Sequence, residues 1–76
     1  MKTIYARDNR NYLRTYTIEI VKDEGAKVWE NLHESFKEEN LINTFYLNEE
    51  DSILIEIAEE WLNNYLDFNE ITKEEN

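Results

Sequence analysis

From Leu54 onward the apolar residues recur at three- and four-residue steps: Leu54, Ile57, Ala58, Trp61, Tyr65 and Phe68. That spacing places them on one stripe of an α-helix. Glu56, Glu59, Glu60, Asn63 and Asp67 fall on the opposite side. The pattern predicts a long helix over Asn48–Phe68, with Asn48 as N-cap and Glu49, Glu50 and Asp51 in the first turn, where the helix dipole favours negative charge. Ile55, Leu62 and Leu66 form a second apolar flank beside the first. Burial in a small domain accounts for such a flank, and a dimer or partner surface is the other reading. The run Ser52–Ile57 also alternates its isoleucines, so a hairpin of Thr44–Leu47 with Ser52–Ile57 competes with the helix start.

Upstream the period changes. Lys2–Arg7 and Tyr12–Val21 read as two strands joined by Asp8-Asn9-Arg10-Asn11, residues that tolerate left-handed backbone in a turn. Tyr12, Arg14, Tyr16, Ile18 and Ile20 share one face of the second strand. Asp23 is placed to cap a helix over Glu24–Asn40, whose apolar face is Val28, Trp29, Leu32 and Phe36 and whose far face carries Glu30, Glu34 and Glu38. Leu41–Leu47 reads as a third strand. The expected fold is α+β: a small antiparallel three-stranded sheet with two helices, in the order ββαβα, or ββαββα if Ser52–Ile57 is a strand. One domain covers residues 1–68, and residues 69–76 form a polar, frayed tail. The expected core is Ile4, Tyr16, Ile18, Ile20, Val28, Trp29, Leu32, Phe36, Phe45, Leu54, Ile57, Ala58, Trp61 and Tyr65.

Composition narrows the chemistry. The 76 residues include no Cys or Pro, one Gly and one His, so a Cys/His zinc site, a disulfide framework and a glycine-rich phosphate loop are excluded. Ten aromatic residues compensate for the small size of the core. His33 lacks an oriented partner or nucleophile, and Ser35 and Ser52 lack a nucleophile context. Neighbouring acids such as Glu38-Glu39 and Glu59-Glu60 diverge on a helix and do not converge as an acid–base pair. Asn48-Glu49-Glu50-Asp51 lacks the alternating ligands and glycine of a calcium loop. An enzyme, a cofactor and a metal site are therefore not expected. No run reaches the length of a membrane span and the N-terminus lacks a signal-peptide core, which predicts a soluble, cytoplasmic protein.

Charge changes the picture most. The net charge is −10. Residues 1–22 hold five cations and two acids, a balance of +3; residues 23–76 hold three cations and sixteen acids, a balance of −13. Arg7, Arg10 and Arg14 with Tyr5 and Tyr12 gather at the first hairpin and suggest a phosphate-contact patch, but the acidic excess opposes nucleic acid. The acids instead form rows: Glu30, Glu34 and Glu38 on one expected helix, Glu56, Glu60 and Asp67 on the other, extended by Glu49, Glu50 and Asp51. Helical steps of four residues advance about 6 Å, a spacing that suits a protein groove built for phosphates. In size and composition — small, acidic, free of Cys and Pro, rich in Asn, Glu and Tyr — the chain resembles bacteriophage accessory proteins of the anti-CRISPR and DNA-mimic type. The resemblance implies an inhibitor that occupies the DNA site of a basic nucleic-acid-binding protein, such as a Cas effector. A homodimeric regulatory or antitoxin-like interaction module, closed through Ile55, Leu62 and Leu66, is the second reading.

Overall fold

The computed structural model describes residues 1–32 and 39–74. Among these residues five strands and one helix follow in the order β1 (Lys2–Arg7), β2 (Leu13–Val21), β3 (Gly25–Leu32), β4 (Glu39–Phe45), α1 (Asp51–Phe68) and β5 (Thr72–Lys73). The strands form one antiparallel sheet in the order β4-β3-β2-β1-β5, and α1 lies across β2 and β3. This is a sheet-rich α+β fold. It replaces the expected three strands and two helices.

The first hairpin forms where the sequence places it. Asp8 closes it from both ends: its side-chain Oδ1 accepts the backbone N–H of Arg10 at 2.9 Å and of Tyr12 at 3.0 Å, and Asn11 sits at φ 67°. The expected helix over Glu24–Asn40 is absent as far as Leu32, and His33–Glu38 lie outside the described residues. Residues 25–32 are instead β3, paired with β2 from Val21↔Gly25 to Arg14↔Leu32. The reason is arithmetic. Val28 and Leu32 are four apart, and four is an even step, so they share a face in a strand as well as in a helix. The residues between decide the matter: Ala26, Val28 and Glu30 are buried while Lys27, Trp29 and Asn31 are only partly so. Asp23 is then not a helix cap. It takes φ 65° in a hairpin turn closed by Glu24 N–H donating to the Val21 carbonyl at 2.9 Å.

β4 begins at Glu39, two residues before the strand expected at Leu41–Leu47, and a bulge against Val28/Trp29 leaves Ile42 as its extra residue. The helix starts at Asp51, so Ser52–Ile57 is not a strand. Its N-cap is Glu50, with no side-chain capping bond, and Asn48 does not serve. Leu54, Ala58, Leu62 and Leu66 form the buried face. Leu62 and Leu66, read as a flank, are thus its centre, and the dimer surface proposed for them is occupied by the protein's own sheet. Ile55 and Trp61 pack beside them, and Phe68 is 88% exposed.

Residues 69–74 fold back instead of fraying. Ile71 N–H donates to the Leu66 carbonyl at 2.9 Å and Glu70 N–H to that of Asp67 at 3.2 Å, with Glu70 at φ 56°. This is a Schellman closure, and its apolar contact is Leu66 with Ile71, which is 5% exposed. β5 then pairs with β1 through Ala6↔Lys73 and Arg7↔Thr72. The core combines Ile4, Ala6, Tyr16, Ile18, Ala26 and Val28 from the sheet with the four helix residues and Ile71. Among the described residues no helix is long and apolar enough to cross a membrane.

Candidate functional site

The buried and the exposed carboxylates have different fates. Glu30, read as part of an acidic surface row, points from β3 into the space between sheet and helix and is 7% exposed. Its Oε2 accepts the Tyr16 hydroxyl at 2.7 Å, the Tyr65 hydroxyl at 3.2 Å and Arg14 Nη1 at 3.4 Å. Arg14 also donates Nε and Nη2 to Asp8 Oδ2, at 3.2 and 3.1 Å. Two carboxylates thus share one guanidinium, and two phenols complete the cluster. No buried side-chain polar atom among the described residues lacks a partner. Glu30 is therefore a structural residue, because a charge this deep is retained only when fully hydrogen-bonded. Helical periodicity had placed it on a solvent face; strand periodicity, with Tyr16 directly across in the register, places it inside.

This cluster sets the pH response. Burial first, and the Glu30 carboxylate second, raise the phenols of Tyr16 and Tyr65 above their ordinary value of 10.0. Because the folded state holds these protons more tightly than the unfolded chain, the stability they contribute is complete below pH 10.0 and is lost as the pH rises through the folded values. The Asp8 carboxyl is held below its ordinary 3.8, chiefly by the Tyr12 N–H and against a burial penalty, with Arg10 N–H and Arg14 assisting. Its contribution is present above pH 3.8 and lost as the pH falls. Urea midpoints measured against pH should fall on both sides of this range, with the alkaline slope reduced in Tyr16→Phe; an unchanged alkaline slope in that variant would remove Tyr16 from the account.

The remaining site residues divide simply. Glu34 and Glu38 lie outside the described residues. Glu49 and Glu50 are exposed in the turn before α1, and Asp51 is exposed in its first turn. Glu56, Glu60 and Asp67 are exposed along the side of α1 opposite Leu54, Ala58, Leu62 and Leu66, with Asn63 in the same stripe. Glu56 to Asp67 spans about 16 Å of helix. Among the described residues none of these six acids makes an ion pair, whereas Glu59, on the flank, pairs with Lys2. α1 contains no Lys or Arg.

The arginine hairpin is largely neutralised from within. Arg14 is engaged by Asp8 and Glu30, Arg7 by Glu74 and by the Asn11 carbonyl at 3.0 Å, and Arg10 lies 5.2 Å over the Tyr12 ring. A phosphate-binding patch would need all three cations unpaired and outward, and of the three only Arg10 is exposed. The Glu74 partner was hidden because the tail carried no obvious strand signal.

An open cleft of about 400 Å³ lies between the β2–β3 turn and the start of α1, lined by Lys22, Asp23, Gly25, Tyr46, Glu49 and Asp51 among others. Among the described residues no group of three or more His, Cys, Asp or Glu side chains is placed to hold a metal ion. The exposed acidic side of α1 is the more distinctive surface. Comparison of the chain with family models, with curated proteins and with solved structures found no match.

Proposed function

We propose that this protein is a small acidic inhibitor that occupies the basic surface of a nucleic-acid-binding protein. Glu56, Glu60 and Asp67 on α1, with Glu49, Glu50 and Asp51 at its start, stand in for phosphates. Each carboxylate accepts charge-assisted hydrogen bonds from Lys or Arg of the partner. Its place of action on this reading is the cytoplasm, and a Cas effector, as for inhibitors of the anti-CRISPR type, is the narrower form of the proposal.

The observation that carries the reading is that the acidic stripe works against the helix bearing it. Glu56 and Glu60 are like charges at i,i+4, which costs a few tenths of a kcal/mol. Asp67 sits in a last turn with no basic residue, where the dipole disfavours it by about 0.3–1 kcal/mol. A stripe selected only for helix stability would intersperse Lys or Arg. Duplex DNA carries one charge per roughly 1.7 Å of axis, so a groove built for it presents cations densely enough to meet a stripe of this spacing.

Two properties should therefore separate in the triple variant Glu56→Lys, Glu60→Lys, Asp67→Lys. Its melting temperature should equal or exceed that of the parent, while affinity for a captured partner should fall on the order of a hundredfold. The partner is obtained by affinity capture from host lysate and scored for nucleic-acid binding. Fluorescence anisotropy with labelled duplex DNA should show displacement by the parent chain, weakening with added salt. A partner that still binds DNA normally with this protein attached, or undiminished affinity of the triple variant, would sink the proposal.

A further inference from the structure

From the charge distribution and the strand order we infer that β4 is a self-association edge, which pairs antiparallel with β4 of a second copy to join two five-stranded sheets. β4 ends the sheet, and among the described residues no strand pairs with its outer side. The opposite edge is capped by β5, only two residues long. Native sheets protect an open edge with charge, proline or a bulge. Of these β4 has the bulge at Ile42, and one acid, Glu39, at its very start.

A second copy is the occupant because of charge. Two chains of net charge −10 repel wherever acids meet. Asn40–Asn48 is the longest run in the chain without a charged residue, and it covers β4 from its second residue through the exit from the strand. Leu41, Tyr46 and Leu47 in this run are 46%, 76% and 49% exposed. In an antiparallel pair about a two-fold axis each Glu39 lies opposite the far end of the other strand. The two Glu39 residues are then roughly 20 Å apart, at about 3.4 Å per residue, beyond the screening length. The edge is thus the stretch on which two copies meet without like charges opposed.

The two-fold axis of such a pair stands perpendicular to the sheet, so it preserves the sheet's faces. Both α1 helices then lie on the same side of a ten-stranded sheet. The acidic stripe is duplicated on one surface, and a basic groove could be engaged at two places by one assembly. That consequence rests on the proposed function; the pairing itself does not.

Sedimentation velocity on the full chain, from micromolar to millimolar concentration and at low and high salt, tests the pairing without any basic partner. A monomer–dimer equilibrium is expected, strengthened by salt because screening relieves repulsion between copies. Binding to a basic partner weakens with salt, so the two readings fail separately. Thr44→Glu and Leu41→Glu should each weaken the dimer about tenfold, since symmetry applies the substitution twice. Asn64→Glu, on the exposed side of α1, adds the same charge and should leave the dimer within about twofold of the parent. Circular dichroism melts establish that the variants fold, and Thr44, exposed on the strand, covers the case in which Leu41→Glu does not. A monomer at millimolar concentration in high salt overturns the proposal, as does a dimer that tolerates Thr44→Glu unchanged.

Discussion

Glu30→Ala is expected to destabilise the protein by about 3–5 kcal/mol, against a total of roughly 4–11 kcal/mol for a chain of this length. The loss does not come from the carboxylate's own packing. Tyr16 is fully buried and its hydroxyl donates to Glu30, so the substitution strands a phenol where water does not reach. Tyr65 loses its acceptor, and Arg14 loses one of its two carboxylate partners while keeping Asp8. Glu30→Met with Tyr16→Phe and Tyr65→Phe should recover much of the loss, because it removes donors and acceptor together. Urea denaturation of the single and triple variants checks both statements. A single variant with the parent's midpoint would show that the cluster contributes nothing to stability.

The cluster also shows what was legible in the sequence and what was not. Local signals read well. The Asp8–Asn11 turn, the two strands around it and the helix ending at Phe68 follow from residue chemistry over a few positions. Tyr16, Ile18, Leu54 and Ala58 are buried as their periodicity predicts, Ile4 is buried with them, and Val28 is buried too, but on a strand instead of the expected helix. Glu30 misled because its surroundings are made by residues fourteen and thirty-five positions away, Tyr16 and Tyr65. A buried acid and a surface acid look alike until the register brings their partners together. The error at β3 had the same root. Val28, Leu32 and Phe36 satisfy both periods, and the signal that would have separated them is the run Ala26, Val28, Glu30 read as one face. That reading needs a buried Glu, which is rare without a partner.

On the helix the sequence shows two apolar stripes, and neither of them alone is the face turned to the sheet. Leu54, Ala58, Leu62 and Leu66 step by four residues, and the core face runs between the stripes rather than along either. Trp61 stacks on Tyr65 at 5.2 Å and meets Phe45 edge-on at 6.0 Å, so the aromatic residues cover the margin of the core. The tail reads as frayed because Ile71 is a single apolar residue and β5 is only two residues long. Its position depends on the chain reversal at Glu70, a non-glycine residue in left-handed backbone, for which composition offers no signal. Of the exposed site, Asp51, Glu56, Glu60 and Asp67 keep their surface positions on α1, whereas Glu49 and Glu50, expected in its first turn, lie exposed just before it.

The chain's one glycine is the second position where a small change should have a large effect. Gly25 holds φ +90°, a region in which a side chain is strained, and a Cβ built there would lie 2.2 Å from the Phe45 carbonyl oxygen and 3.0 Å from its carbon. Neither neighbour is the loose end of a side chain; both are backbone at the end of β4. Gly25→Ala must therefore strain the turn, at about 1–2 kcal/mol, and also push β4 away from β3, an overpacking cost of about 1–3 kcal/mol. The expected sum is roughly 2–5 kcal/mol in urea denaturation. Hydrogen exchange gives the sharper readout, because displacement at Phe45 starts where Ala26 pairs with it and spreads along β4. Amides of β4 should lose protection out of proportion to those of β1 and β2, and the self-association edge should weaken with them. Protection lost evenly across the sheet would mean that the substitution acts on the turn alone, and an unchanged urea midpoint would mean that Phe45 does not approach Gly25 in solution.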